Sequence, residues 1–89
     1  MVTIKLPTVL RRLANDQAEV PVEATTVQEA LAALAEAHPQ LGGQLLADGQ
    51  IRPFVRVFVG ADDIQALDGP DTRLVGGEQV RIVPAIAGG

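Results

Sequence analysis

Strict alternation opens the chain. In "MVTIKLP", Val2, Ile4 and Leu6 fall on one side and Thr3 and Lys5 on the other, the period of a half-buried strand. Pro7 offers no amide hydrogen to a ladder and stops it. "TVLRRLANDQ" carries the chain round, with Asn15-Asp16 suited to a turn. A second strand is expected at "AEVPVEA", where Val20 and Val22 share a face and Pro21 marks an edge or bulge. These two strands would pair as a hairpin. Then the period changes. In "TTVQEALAALAEAH", Val27, Ala30, Leu31 and Leu34 recur at helical spacing and make one apolar stripe. Thr26 and Glu29 have the spacing of a capping box, and Pro39 ends the helix by restricting His38.

"QLGGQLLADGQ" reads as a short helical turn, with Leu41, Leu45 and Leu46 toward the core, followed by a glycine-containing loop. Alternation returns in "FVRVFVGADDI". Val55, Val57 and Val59 lie on one face, and Phe54, Arg56 and Phe58 on the other. Gly60 to Asp63 supplies a turn, and Ile64 begins a short return strand. "ALDGPDTRLVGGE" has the chemistry of a loop. "QVRIVPA" is the last strand, with Val80 and Ile82 inward and Arg81 and Val83 outward. The order is β-β-α-β-(β)-β. One helix stripe and one sheet face can bury each other, so the pattern predicts a two-layer α+β domain. A ferredoxin-like arrangement would need a second long helix, for which "PQLGGQLL" is too short and too rich in glycine.

Composition narrows the function more than the fold. Eighty-nine residues hold a single core. Seven basic against 11 acidic side chains give a net charge of −4, with only one Lys. Nucleic acid and anionic membranes, which are gripped by Lys and Arg clusters, are therefore not expected as partners. The absence of Cys removes disulfides, thiol nucleophiles and thiolate metal sites. No apolar stretch approaches a membrane span, and the opening is too short for a signal peptide, so a cytoplasmic location is expected. His38, the sole histidine, suits a helix C-terminus and has no second metal ligand at useful spacing. Asp62-Asp63 reads as turn chemistry rather than an acid–base pair. Glycine pairs occur at 42–43, 76–77 and 88–89, but none is followed by the Lys-Ser/Thr of a phosphate-cradling loop. No bound cofactor, metal or catalytic residue is expected.

The terminal run "GGEQVRIVPAIAGG" joins a Gly-acid turn, an alternating strand and a Pro-small-apolar-small-Gly-Gly tail. With the element order, it resembles the ubiquitin-like β-grasp fold and, more closely, the MoaD/ThiS family of sulfur carriers. "IKLPTVLRRL" and "RPFVRVFVGADDI" are similar to one branch of that family, the carriers of thiocarboxylate-dependent cysteine biosynthesis. The resemblance implies a mixed four- to five-stranded sheet packed on one main helix. It also implies a protein cosubstrate rather than an enzyme. An E1-like activating enzyme of the MoeB/ThiF type would use ATP to adenylate the carboxylate of Gly89. A sulfur source would then convert it to a thiocarboxylate. A sulfur-accepting enzyme, such as a cysteine synthase or a thiosugar synthase, would take the sulfur, and a C-terminal-processing metalloprotease is a further implied partner. The small subunit of molybdopterin synthase, the thiamin carrier, a ubiquitin-like modifier and an interaction domain with an inert tail are the alternatives.

That chemistry gives the terminal residues a purpose. Residues 1–84 are expected to form the globule and residues 85–89 a flexible tail. Fully extended, those five residues reach roughly 17 Å. Gly88 and Gly89 let the walls of a partner's active site close on the main chain. Ala85 and Ala87 keep the profile slim, and Ile86 offers one apolar anchor. If the two strands are neighbours, Phe58, Arg56, Arg81 and Val83 form an apolar-basic docking face beside the tail. Arg11-Arg12 are expected on a solvated face or as a minor docking contribution.

Overall fold

The computed structural model describes residues 1–84. Strand β1 (Val2–Lys5) buries Val2 and Ile4 and turns Thr3 and Lys5 outward. A one-turn helix α1 (Thr8–Arg11) and a 3-10 turn at Arg12–Ala14 reverse the chain. Asn15 and Asp16 complete the reversal at φ 56° and 63°, left-handed values that short polar side chains tolerate. Strand β2 (Glu19–Val22) then pairs antiparallel with β1, Ile4 opposite Val20. It lies at the sheet edge, where the missing amide of Pro21 costs no ladder bond.

Helix α2 (Val27–Ala37) buries the four residues of the apolar stripe. Its cap differs from the expected box by one residue. The Thr26 hydroxyl accepts from the Glu29 amide at 3.1 Å, but Glu29 reaches past Thr26 to Thr25, accepting from its amide and its hydroxyl at 2.8 Å each. An extra orphan donor at the helix entrance is thereby satisfied. Helix α3 (Pro39–Leu45) follows, with Pro39 in its first turn. It is longer than the helical turn expected from its two glycines. Gly42 is buried against Ala35 of α2, so the absent side chain is what lets the two backbones approach. The expected loop after it is a small hairpin, β3 (Leu46–Ala47) and β4 (Gln50–Ile51). Asp48 and Gly49, at φ 54° and 78°, form its two-residue turn, a signal present in the sequence as Asp-Gly.

Strand β5 (Val55–Val59) buries Val55 and Val57. The return strand β6 is Asp62–Asp63, and Ile64 instead opens a 3-10 turn in which it is buried. Asp63 caps that turn by accepting from the Gln65 amide at 2.9 Å, a backbone role of the kind expected for acidic turn residues. A further 3-10 turn at Gly69–Asp71 leads back to α2, where the Leu74 amide donates to the Thr25 carbonyl and the Val27 amide to the Thr72 carbonyl. Strand β7 (Gln79–Pro84) ends the described chain.

The five-stranded sheet runs β2-β1-β7-β5-β6. Only β1 and β7 are parallel, so nearly the whole chain forms the crossover between them. One face of the sheet meets α2 and α3. Val2, Ile4, Val20, Val22, Val55, Val57, Val80 and Ile82 pack there with Val27, Leu31, Leu34, Leu41 and Leu45. Each fully buried aliphatic side chain contributes about 1.5–3 kcal/mol. Among the described residues no helix covers the other face, which presents the outward residues of β1, β7 and β5.

The start of β7 is fixed electrostatically. Glu78 accepts from the Val75 and Gly76 amides at 2.8 and 2.7 Å, holding a turn in which Gly76 and Gly77 have φ of 112° and 85°. The Val75 amide first, and the Gly76 amide less strongly, hold the Glu78 carboxyl below the ordinary carboxylate range. Its ionised form therefore favours the folded state. That contribution is full above the unfolded carboxylate's pKa and is lost as pH falls through the lower, folded one. Glu78→Gln is expected to flatten the fall of melting temperature on acidification, measured by thermal unfolding over a pH series. An identical acid profile in the two proteins would contradict the role.

Candidate functional site

The antiparallel register of β5 and β7 brings the four expected docking residues together. Arg56 lies opposite Val83, and Phe58 opposite Arg81. All four alternate with core residues on their strands, so they share the face that no helix covers. The Arg81 guanidinium stands 5.1 Å from the centre of the Phe58 ring, within cation–π range. Phe58 is half-buried and lies outside the core cluster, whereas Phe54, just before β5, packs against that cluster. Arg56 extends to Asp63 at 3.3 Å, an exposed pair worth at most about 1 kcal/mol. Val83 is 38% exposed.

A row of side chains thus crosses the sheet in register: Glu19, Lys5, Arg81, Phe58, Asp63. The sequence marks Lys5 only as an outward residue. The parallel β1–β7 pairing places it directly beside Arg81, which no local pattern could disclose. Lys5 leans to Glu19 at 3.8 Å, and Arg81 leans the other way over Phe58. Arg11 completes the basic edge, its Nε donating to the Leu6 carbonyl at 3.1 Å. The neighbouring Arg12 is exposed and falls outside this group.

Pro84 is still in the ladder, opposite Val55, as the last residue of β7. The expected working end, Ala85, Ile86, Ala87, Gly88 and Gly89, lies outside the described residues. His38 caps the C-terminus of α2, its amide donating to the Leu34 carbonyl at 2.8 Å. Among the described residues no group of His, Asp and Glu is placed to hold a metal ion. No helix among them is long and apolar enough to cross a membrane.

A mixed five-stranded sheet wrapped on one principal helix, with an open face beside the final strand, defines a ubiquitin-like β-grasp protein. The chain belongs to the ThiS family, whose model matches residues 4–89. It is a small protein of the sulfur-carrier and ubiquitin-like-modifier kind. The sulfur carrier protein CysO of Mycobacterium tuberculosis is 29% identical over 91 residues, covering 99% of this chain and 98% of CysO. The small archaeal modifier protein 3 of Haloferax volcanii is 36% identical over 64 residues, 72% of this chain and 70% of that one. Among solved structures, the Amycolatopsis orientalis BexX/CysO complex contains a chain that superposes with a TM-score of 0.90. It is 27% identical, with all of both chains covered.

Proposed function

We propose that the chain is a sulfur carrier whose reactive group is its own terminal carboxylate at Gly89. One observation carries the reading: the family match runs through residue 89 and so includes the diglycine end. A free carboxylate resists nucleophiles because of its negative charge. In the proposed cycle a carboxylate oxygen attacks the α-phosphorus of ATP on an E1-like partner, and pyrophosphate leaves. A hydrosulfide-level nucleophile then attacks the acyl carbon, and AMP leaves, giving the thiocarboxylate. A biosynthetic enzyme takes the sulfur for cysteine or, as the alternative, for a thiosugar. The phosphate grip and the charge stabilisation of both steps reside in the partner. This chain supplies the handle and the docking face. The full-length likeness to CysO supports the cysteine assignment, and a related carrier found in complex with BexX supports docking on a second protein.

The test is intact-mass spectrometry after incubation with an activating enzyme, ATP and a sulfur source. A product heavier by the difference between sulfur and oxygen is expected, and it should disappear when ATP is omitted. A second reading, a ubiquitin-like modifier, is favoured by the likeness to the archaeal modifier protein. It would appear instead as isopeptide links to lysines of other proteins, read after trypsin as a branch of residues 82–89 because Arg81 is the last basic residue.

A further inference from the structure

The like-charged neighbours on the open face have no internal explanation. Lys5 and Arg81 sit directly opposite each other in the parallel ladder, an arrangement that costs stability. They splay apart, Lys5 toward Glu19 and Arg81 over Phe58, and a groove of about 230 Å³ opens there. Its accessible apolar lining is Pro7 and Val83, beside the buried Leu6 and Ile82, with Lys5, Arg81 and Arg11 as the basic members. Arg11 is pre-positioned. Its Nε is bound to the Leu6 carbonyl, while its Nη groups have no hydrogen-bond partner among the described residues. Arg81 likewise meets no carboxylate among them. Three of only seven basic side chains thus surround one apolar depression in a chain of net charge −4.

We infer that this groove docks an acidic segment of the activating enzyme, with carboxylates meeting Arg11, Arg81 and Lys5 and an apolar side chain resting beside Pro7 and Val83. The inference rests on the carrier reading and adds the chemistry of the partner surface. Charge complementarity argues for it. Retained repulsion between Lys5 and Arg81 is relieved when an anion arrives, and the apolar lining asks for more than a bare anion. Place argues for it too. The groove lies where β1 and β7 end, at the root of residues 85–89, which span roughly 17 Å when extended. A protein that encloses the terminal carboxylate must bring its surface to this edge. A nucleic-acid partner is disfavoured because a phosphate chain would meet the acidic remainder of the surface.

The experiment compares steady-state adenylation of the wild type, Arg11→Glu, Arg81→Glu and Arg12→Glu by the activating enzyme. Reversal at Arg11 or Arg81 is expected to raise KM about tenfold or more while kcat stays within about twofold, because encounter and docking depend on these charges. Arg12→Glu, next door but outside the groove, is expected to change KM less than about twofold. For the wild type, KM should rise as sodium chloride increases from about 0.05 to about 0.3 M, where screening shortens the reach of charges. This last readout needs no variant to fold. A flat wild-type salt response overturns the inference. So does an equal KM for all four proteins, or an Arg12→Glu effect as large as the others. A wild type that is never adenylated overturns the carrier reading itself.

Discussion

Gly89→Ala is expected to yield no detectable thiocarboxylate while melting at the wild-type temperature. The core cluster of the described residues ends at Ile82, so the substitution alters no side chain of that core. The effect falls on the chemistry. In the proposed cycle the carboxylate is placed against the α-phosphorus of ATP, and misplacement by about 1 Å can cost about 100-fold in rate. A Cβ on the terminal residue occupies the space that lets a narrow channel close on the main chain, and it narrows the dihedrals available there. Adding one residue after Gly89 should be as damaging, because it carries the carboxylate about 3.5 Å beyond the reacting phosphate. Intact-mass spectrometry of the loading reaction reads both outcomes. Loading of Gly89→Ala at the wild-type rate would remove the terminal glycine from the mechanism.

Gly42→Val and Gly43→Ala are expected to move stability in opposite directions, although the two glycines are adjacent in α3. A Cβ at Gly42 would stand 2.5 Å from the Ala35 Cβ and 2.8 Å from its Cα. The second contact is with backbone, so α2 and α3 must separate. Overpacking of this kind costs about 1–3 kcal/mol, and a branched side chain belongs at the upper end. Any valine gain in helix propensity over glycine is a few tenths of a kcal/mol and does not offset it. At Gly43 an added Cβ meets nothing within 4 Å. There the ordinary helical advantage of alanine applies, and Gly43→Ala should stabilise by about 0.5–1 kcal/mol. Urea unfolding of the two variants decides the matter, and shifts of the same sign in both would refute the packing account.

Those glycines mark the reach of local patterns. By propensity "GGQLL" is too glycine-rich for a lasting helix, because both glycines count as losses. Packing reverses the sign for Gly42, since the missing side chain brings α3 onto Ala35. The Asp48-Gly49 dipeptide is a hairpin signal, but its flanking strands are only two residues each, too short to show an alternation that separates them from a loop. An apolar residue after a turn suggests a return strand at Ile64. The strand is instead Asp62–Asp63, whose backbone pairs with Phe58 and Val59. The spacing of Glu29 points to Thr26, yet its carboxylate binds Thr25. Each of these departures is a local choice settled by a neighbour.

By itself the sequence determined which side of each main strand enters the core, which stripe of α2 faces it, and that the chain runs from a final strand into Gly88-Gly89. Side-chain period and burial are local properties, and β1, α2, β5 and β7 obey them. Only the tertiary structure decided which outward residues become neighbours. Alternation says that Lys5, Arg56, Phe58 and Arg81 face away from the helices. It carries no register between strands from opposite ends of the chain. Closing the sheet with β7 between β1 and β5 set Arg81 over Phe58 and beside Lys5, and so made scattered exposed residues into one surface.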